Sequence, residues 1–403
     1  MHILFLTDNF PPEGNAPASR TYEHAREWVK LGHDVTVITC APNFPEGVLF
    51  DGYKNKWYQR EVMEGINVVR VKTYITANEG FVKRILDYIS FGVMGGIAGL
   101  FQTRPDVIVS TSPQFFCACG AWVLSVVRWK PWVFELRDIW PASITAVGAM
   151  EKSTIIRVLE KLEMFLYRRA DRIVAVTNSF KTELIERGID GDKIDVVING
   201  VDLSKYSPVE TKSPALADQY GLAGKFVVGY IGTHGMAHAL DKVLDAAALL
   251  QDNDDVRFLF AGGGAERASL ERLAAERGLS NVVMMPRQPK EAMPAVWSLC
   301  DISLISLRDT PLFTKVIPSK IFESMGMGLP MVIACPAGEA TDIIADTSSG
   351  VMVEPENSEA LADCIAGLYS DRTRLAELAS ASSVSAKGYD RARQAALMLD
   401  ALR

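Results

Sequence analysis

Two series of short apolar runs, each series interleaved with helix-length segments, constrain this chain more than any other feature. In the first half the runs are HILFLT (2–7), DVTVIT (34–39), DVIVST (106–111), WVFEL (132–136) and RIVAVT (172–177). Nearly continuous, β-branched runs of this kind are strands buried on both faces. A helix is expected between the first two, roughly Ser19–Leu31, ended by Gly32. Strand, helix and strand at that spacing require a parallel, right-handed crossover. The grammar then repeats in FVVGYIG (226–232), RFLFAGGG (257–264), VVMM (282–285), ISLISL (302–307) and MVIA (331–334), with helices around 239–251, 266–277, 291–299 and 319–327. Between the series, 203–215 carries two prolines among polar residues and reads as a linker. The expectation is an α/β chain of two parallel-sheet, Rossmann-like domains, 1–205 and 206–385, facing a cleft, with a helical tail at 386–403 packed back on the first.

At 403 residues the length suits two domains, and 48% hydrophobic with 23% charged residues is ordinary globular composition. The formal charge is −7, its excess lies in the second half, and no long run of like charge occurs, so nucleic acid is not the expected partner. Cys117 and Cys119 are the only close cysteines, and one intervening residue is not a zinc spacing. The N-terminus opens directly into a strand, so no signal peptide is expected, and no apolar stretch is long enough for a spanning helix.

Parallel sheets bind ligands beyond the carboxyl ends of their strands, so the informative residues follow each run. After the first comes FPPEGNAP, where Gly14 and Asn15 precede a helix whose free N–H groups favour an anion; a tight turn that binds nothing is the alternative. After WVFEL stand Arg137 and Asp138, with Pro141 stopping further pairing. They form either a structural ion pair or a site in which Arg137 faces phosphate and Asp138 a hydroxyl. The second half opens with GYIGTHGMAH, placing Gly229, Gly232, Thr233, His234, Gly235 and His238 at a strand end. Glycines there let backbone approach a ligand, and the two histidines are candidate catalytic groups or, less favourably, metal ligands. The strongest constellation is KVIPSKIFESMGMGLP. Pro318 suits a first helical turn, Ser319 and Lys320 put a hydroxyl and an ammonium at its start, and Glu323 follows on the same helix. That is a place for a diphosphate and, at Glu323, for ribose hydroxyls.

These residues resemble glycosyltransferase family 4, the retaining enzymes of GT-B fold. The resemblance covers nearly the whole chain: FPPEGNAP, LGHDVTVIT, NGVDLSKYSP (199–208), FAGGG (260–264) and PSKIFESMGMGLP. The family's two glutamates, separated by seven residues, are here Lys315 and Glu323, its Arg and Lys after the GYIG strand are absent, with Thr233 and approximately His238 standing there, and its His-Asp pair is Arg137-Asp138. RDIWPAS, GYIGTHGMAH and IPSKIFE are together similar to bacterial O-antigen and capsule enzymes, including N-acetylfucosaminyl transferases. The resemblance implies a UDP-linked N-acetylated amino sugar as donor and a polyprenyl-diphosphate saccharide as acceptor. It implies that Gly14, Asn15, Gly232, Thr233, Lys315, Ser319 and Lys320 meet the donor, that Glu323 holds the ribose, and that the base lies near Met285–Arg287. Arg137, Asp138, His234 and Lys320 are then the catalytic candidates. Same-face attack guided by the leaving phosphate needs no protein nucleophile, and no metal or other cofactor is expected.

A lipid-linked acceptor would place the protein on the cytoplasmic face of the inner membrane. Residues 81–101 are apolar, with Lys83, Arg84 and Asp87 at one end, and 52–84 adds Lys54, Lys56, Arg60, Arg70 and Lys72. Together 52–101 reads as a membrane-surface contact; the apolar stretch reads equally as a core helix. Two other functions stay open. A GT-B epimerase would share the donor site and need no acceptor. A dinucleotide-binding dehydrogenase or regulator ranks lower, because the first loop lacks G-x-G-x-x-G and the second strand ends Thr39-Cys40-Ala41, without the acidic residue.

Overall fold

The computed structural model of the protein describes residues 1–44, 46–76, 81–112, 115–140 and 154–403, with side chains from Lys83 onward in the helix that opens at Phe81. Pro141 lies outside the described residues. The chain divides into two compact units, Met1–Ile198 with Ala392–Arg403, and Asn199–Arg391. Residues 203–215, expected as a linker, lie inside the second unit.

The first unit holds β1 (His2–Leu6), β2 (Asp34–Cys40), β3 (Tyr58–Met63), β4 (Ile66–Val71), β5 (Val107–Thr111), β6 (Trp132–Leu136), β7 (Arg172–Ala175) and β8 (Ile194–Val196). Its helices are α1 (Ala16–Lys30), α2 (Phe81–Leu100), α3 (Phe115–Arg128), α4 (Thr154–Arg169) and α5 (Asn178–Glu186). The sheet order is β3-β4-β2-β1-β5-β6-β7-β8, parallel except for the β3–β4 hairpin. That hairpin turns at Glu64-Gly65, both at positive φ, 47° and 82°, as a two-residue turn requires. Helix α1 begins earlier than expected: Asn15 Oδ1 accepts from the Ala18 N–H (2.8 Å) and Pro17 occupies the first turn, so Ser19 is interior.

One face of this sheet is covered by α2, α3 and α4 through Leu6, Ile38, Phe91, Ala118 and Leu166. The other carries α1 through Phe5, Val37 and Trp28. Of the basic residues expected to flank α2, Arg70 is buried and donates to the carbonyls of Cys40 (2.9 Å) and Pro11 (2.5 Å), and Lys72 stacks on Trp57. Arg70 is therefore a framework group and not part of a surface charge patch.

The second unit holds β9 (Phe226–Thr233), β10 (Val256–Gly263), β11 (Val282–Met285), β12 (Ile302–Ser306), β13 (Met331–Ala334) and β14 (Gly350–Val353), all parallel, in the order β11-β10-β9-β12-β13-β14. Its helices are α6 (Pro214–Gln219), α7 (Leu240–Leu249), α8 (Arg267–Glu276), α9 (Met293–Trp297), α10 (Lys320–Gly326), α11 (Glu339–Thr347), α12 (Ser358–Ser370) and α13 (Arg372–Ala386). The last helix, α14 (Arg391–Ala401), joins the first unit's core, where Trp28 Nε1 donates to the Ala395 carbonyl (2.8 Å). Strand order reverses beside β1 in one sheet and between β9 and β12 in the other, and each reversal opens a crevice at the strands' carboxyl ends.

Candidate functional site

In the second unit the crevice is shaped by glycine. Gly232 pairs with Gly262 and Thr233 with Gly263 where β9 and β10 end. A side chain at Gly262 would stand 1.9 Å from the Gly232 carbonyl oxygen, and one at Gly264 2.4 Å from that of His234. Their φ of 148° and 152° are likewise open only to glycine. The bare backbone at Gly232 leaves room for Lys320, whose Nζ lies 3.2 Å from where a Cβ would be.

Lys320 opens α10 and extends over the face of Tyr230, its Nζ 3.6 Å from the ring centroid. Tyr230 is held by its own hydroxyl, which donates to the Thr233 carbonyl (2.7 Å). The Nζ is sealed from solvent and has no hydrogen-bond partner among the described residues. Burial drives the amine down to about 7, against smaller opposing effects of Cys335 and Glu323. A buried ammonium without a hydrogen-bonded counter-charge is costly, and an aromatic face offsets only part of that. The group is poised for an anion.

Its neighbours are fixed around it. Ser319 Oγ accepts from Asn199 Nδ2 (2.7 Å), and Asn199 Oδ1 accepts from Arg391 (2.6 Å). The Ser319 proton is thus left to donate elsewhere. Glu323 Oε2 accepts from Trp297 Nε1 (3.2 Å), which orients the carboxylate. The helix starts at Lys320, not at Pro318 as expected, and is seven residues long. Lys315 closes a short 3-10 turn, Pro311–Lys315, on the approach to it. Arg287 is exposed just beyond β11.

The histidines behave differently from expectation. The His234 ring is fully buried, near Tyr230 and Phe260, with both nitrogens sealed and without hydrogen-bond partners among the described residues. Burial, then Arg267 and Lys320, lower it to about 4. His238 is lowered to about 4 by burial and then Lys320, and its Nδ1 meets the Ser306 carbonyl (3.2 Å). Both rings are neutral at pH 7. His234 serves through its backbone, its N–H donating to the Gly263 carbonyl and its carbonyl accepting from the Glu266 N–H, both 2.9 Å. The ring nitrogens, like the Lys320 Nζ, are buried and without hydrogen-bond partners among the described residues, and the catalytic reading of the ring stays an expectation. Gly229 is a packing glycine, since a Cβ there would meet Cys300 Sγ at 2.2 Å.

In the first unit, Gly14 is exposed with open space beside it. The Asn15 side chain is consumed by the helix cap and by Asn9, to whose Oδ1 its Nδ2 donates (2.6 Å). Arg137 donates to the carbonyls of Pro17 (3.1 Å) and Ala16 (3.2 Å), so its half-buried guanidinium braces the start of α1. Ser112 Oγ accepts from the N–H groups of Arg137 (2.7 Å) and Asp138 (3.1 Å), which sets the half-buried Asp138 at the strand end.

Sequence reasoning missed several residues. Tyr230 and Trp297 were hidden inside apolar runs. Arg267 donates to the carbonyls of Gly262 (2.6 Å) and Met285 (2.7 Å), locking two strand ends; its place soon after FAGGG was the available signal. Beside β1, Asp8, Glu13 and Asp87 form a carboxyl group cluster. Burial raises all three, Asp87 to about 7, with Glu13 adding to the effect on Asp8 and Asp87.

Residues 15–200 match the glycosyl transferase 4-like domain family, and residues 213–384 match glycosyl transferases group 1. The glycosyltransferase reading is thereby decided. The chain is a GT-B glycosyltransferase. It is 28% identical over 371 residues, 90% of each chain, to WcaI of Escherichia coli K12, a protein named for colanic acid biosynthesis as a glycosyl transferase. The sucrose-phosphate synthase of Thermosynechococcus elongatus superposes with a TM-score of 0.79 at 15% identity, over 99% of this chain and 97% of that one. HepE of Anabaena, solved with UDP-glucose, gives 0.69 at 19% identity over 100% of both. At such identities the structures carry the fold. The glycosyltransferase's two sheets are those of this architecture, and the dehydrogenase reading falls away.

Proposed function

We propose that this glycosyltransferase moves an N-acetylated amino sugar, of the N-acetylfucosaminyl type, from a UDP-sugar to a polyprenyl-diphosphate-linked saccharide, with retention, during surface polysaccharide synthesis. The observation that carries the donor half is Lys320, a sealed ammonium without a hydrogen-bonded counter-charge at the second unit's crevice. A donor diphosphate satisfies it, and the leaving UDP, as it gains charge, is stabilised by the same group and by Lys315. Ser319 donates its free proton to a phosphate oxygen. Glu323, aimed by Trp297, takes the ribose hydroxyls, and the base lies beside Met285–Arg287. The lysines supply the charge compensation that a divalent ion supplies elsewhere, so the reaction runs without metal. HepE, of the same fold, was solved with UDP-glucose, which supports a uridine nucleotide. The first unit takes the acceptor; WcaI's naming for colanic acid biosynthesis supports a surface polysaccharide.

A screen of UDP-, GDP- and ADP-sugars, read as nucleoside diphosphate release with and without a lipid-linked saccharide, tests this. Release from a UDP-amino sugar that depends on the acceptor is expected. A new UDP-sugar formed without acceptor would make the protein an epimerase, and release only from GDP- or ADP-sugars would overturn the donor assignment.

A further inference from the structure

Helices α2 and α3 present to solvent a face that, beyond Lys83 at its start and the half-buried Ser90, is apolar. From Leu86 to the end of α2 the exposed side chains are Leu86, Ile89, Val93, Ile97 and Leu100. In α3 they are Val123, Val126 and Val127, and Trp129 follows at 86% exposure. Helix α8 shows the usual alternative: its exposed positions include Ser269, Glu271, Arg272 and Glu276. Single exposed apolar residues are ordinary, but a contiguous apolar face on two helices is not.

The two faces are contiguous because glycine lets the helices touch. A Cβ on Gly92 would stand 2.2 Å from the Phe116 carbonyl oxygen, one on Gly96 3.4 Å from that of Gly120, and one on Gly99 2.3 Å from Leu124 Cδ2. The contacts advance together along both helices, so α2 and α3 run side by side in the same direction. At about 100° per residue, Val93, Ile97 and Leu100 sit a quarter turn from those glycines, on the side away from the sheet. Arg128 donates to the carbonyls of Leu100 and Gln102 (2.9 Å each), which ties the helix ends together and brings exposed Phe101 and Trp129 to one rim.

Charge borders this face. Helix α4 packs on α3 through the edge contact of Phe165 with Trp122 (4.9 Å) and exposes Arg157, Lys161, Arg168 and Arg169 against Glu160, with exposed Ile155 and Val158 between. Lys83 is exposed at the opposite end, on α2. No helix among the described residues is long and apolar enough to cross a membrane. An apolar face with a cationic border suits a surface that is itself apolar inside and anionic outside. A second copy docked on the same face about a two-fold axis would set α4's cations against one another or leave them outside the contact.

We propose that the solvent face of α2 and α3 seats the enzyme on an anionic phospholipid bilayer, with Phe101 and Trp129 entering the interface and α4 meeting the head groups. The contact expected over 52–101 thus extends to α3 and α4 and loses Arg70. The proposal deepens the lipid-linked acceptor reading and rests on it for its purpose, but its test needs neither donor nor acceptor.

The test is co-sedimentation with vesicles of phosphatidylethanolamine and phosphatidylglycerol, against vesicles of phosphatidylcholine. Wild type should pellet with the anionic vesicles, its tryptophan emission should shift to the blue, and binding should weaken as salt shortens the Debye length from about 10 Å to about 3 Å. Ile97→Asn with Val127→Asn should lower binding roughly tenfold or more. Arg157→Glu with Lys161→Glu should abolish the anionic preference. These substitutions are on the surface, and an unchanged melting temperature and UDP titration show that each variant is folded. Wild type that ignores anionic vesicles at low salt overturns the proposal. So does sedimentation velocity showing a dimer that Ile97→Asn with Val127→Asn dissolves while vesicles remain unbound. Vesicle binding that persists although a detergent-dispersed lipid-linked saccharide accepts no sugar upholds the docking surface and sinks the acceptor reading.

Discussion

Lys320 ties sequence to chemistry most closely at the residue scale. Its amine, held at about 7 by burial, is lowered from the ordinary lysine value, so the unfolded chain binds a proton that the folded one lacks from about pH 7 up to that value. The stability cost is therefore full below about pH 7 and fades as pH rises through this window. Lys320→Met should raise the melting temperature of the ligand-free protein at neutral pH, with the gain shrinking as pH rises from about 7 towards the ordinary lysine value. A diphosphate reverses the balance by favouring the charged form. UDP binding at pH 8 should accordingly take up most of one proton, read as a dependence of the calorimetric heat on buffer ionisation enthalpy; heats identical in two buffers would contradict it. Glu323→Ala should weaken UDP binding by about 1–3 kcal/mol, the cost of losing hydrogen bonds to a charged group, in a variant with unchanged melting. Ser319, Lys320 and Glu323 were legible because they follow one another at a helix start. Tyr230, which shapes the Lys320 pocket, was not, because a ring inside an apolar strand looks like core until the lysine is seen above it. The burial of His234 was not legible for the opposite reason: a histidine at a strand end reads as exposed, and only packing shows the ring turned inward.

Among the elements, the strands were the easiest to read, since buried parallel strands are continuous apolar runs; WVFEL, VVMM and MVIA have the bounds expected of them. The β3–β4 hairpin escaped because YQREVM alternates on an edge and reads as polar surface, although Glu64-Gly65 is a recognisable turn. Helix α2 combines both readings that its sequence allowed. Its glycines pack on α3 and its remaining apolar side chains face out, a distinction that periodicity alone does not make before the neighbouring helix is placed. The glycine contacts give a sharp expectation. A Cβ at Gly120 would stand 2.1 Å from the Gly92 carbonyl oxygen, which is backbone and cannot rotate away. Gly120→Ala should destabilise the first unit by about 1–3 kcal/mol through overpacking, seen as a lowered melting temperature, whereas Gly14→Ala, beside open space, should leave it unchanged. Equal melting of the two variants would show that the helices do not touch as described.

For the whole molecule, two parallel-sheet units were readable from the repeated strand–helix grammar, and the break between the compact units falls just before Asn199, a few residues ahead of the boundary expected at 205, so that the prolines at 203–215 lie at the entry to the second unit. A boundary set by packing leaves little local mark on composition. In the proposed reaction the protein's own lysines compensate the charge of the leaving diphosphate. Transfer should survive EDTA, and loss of activity restored by magnesium or manganese would replace that scheme. In the proposed function the second unit holds the diphosphate of a uridine nucleotide against Lys320. Calorimetric titration of the full chain with UDP, beside Lys320→Met, tests that claim most directly. Saturable UDP binding that weakens by about tenfold or more in the folded variant is the predicted result. Equal UDP affinity in the two proteins, or none in the wild type, would contradict it.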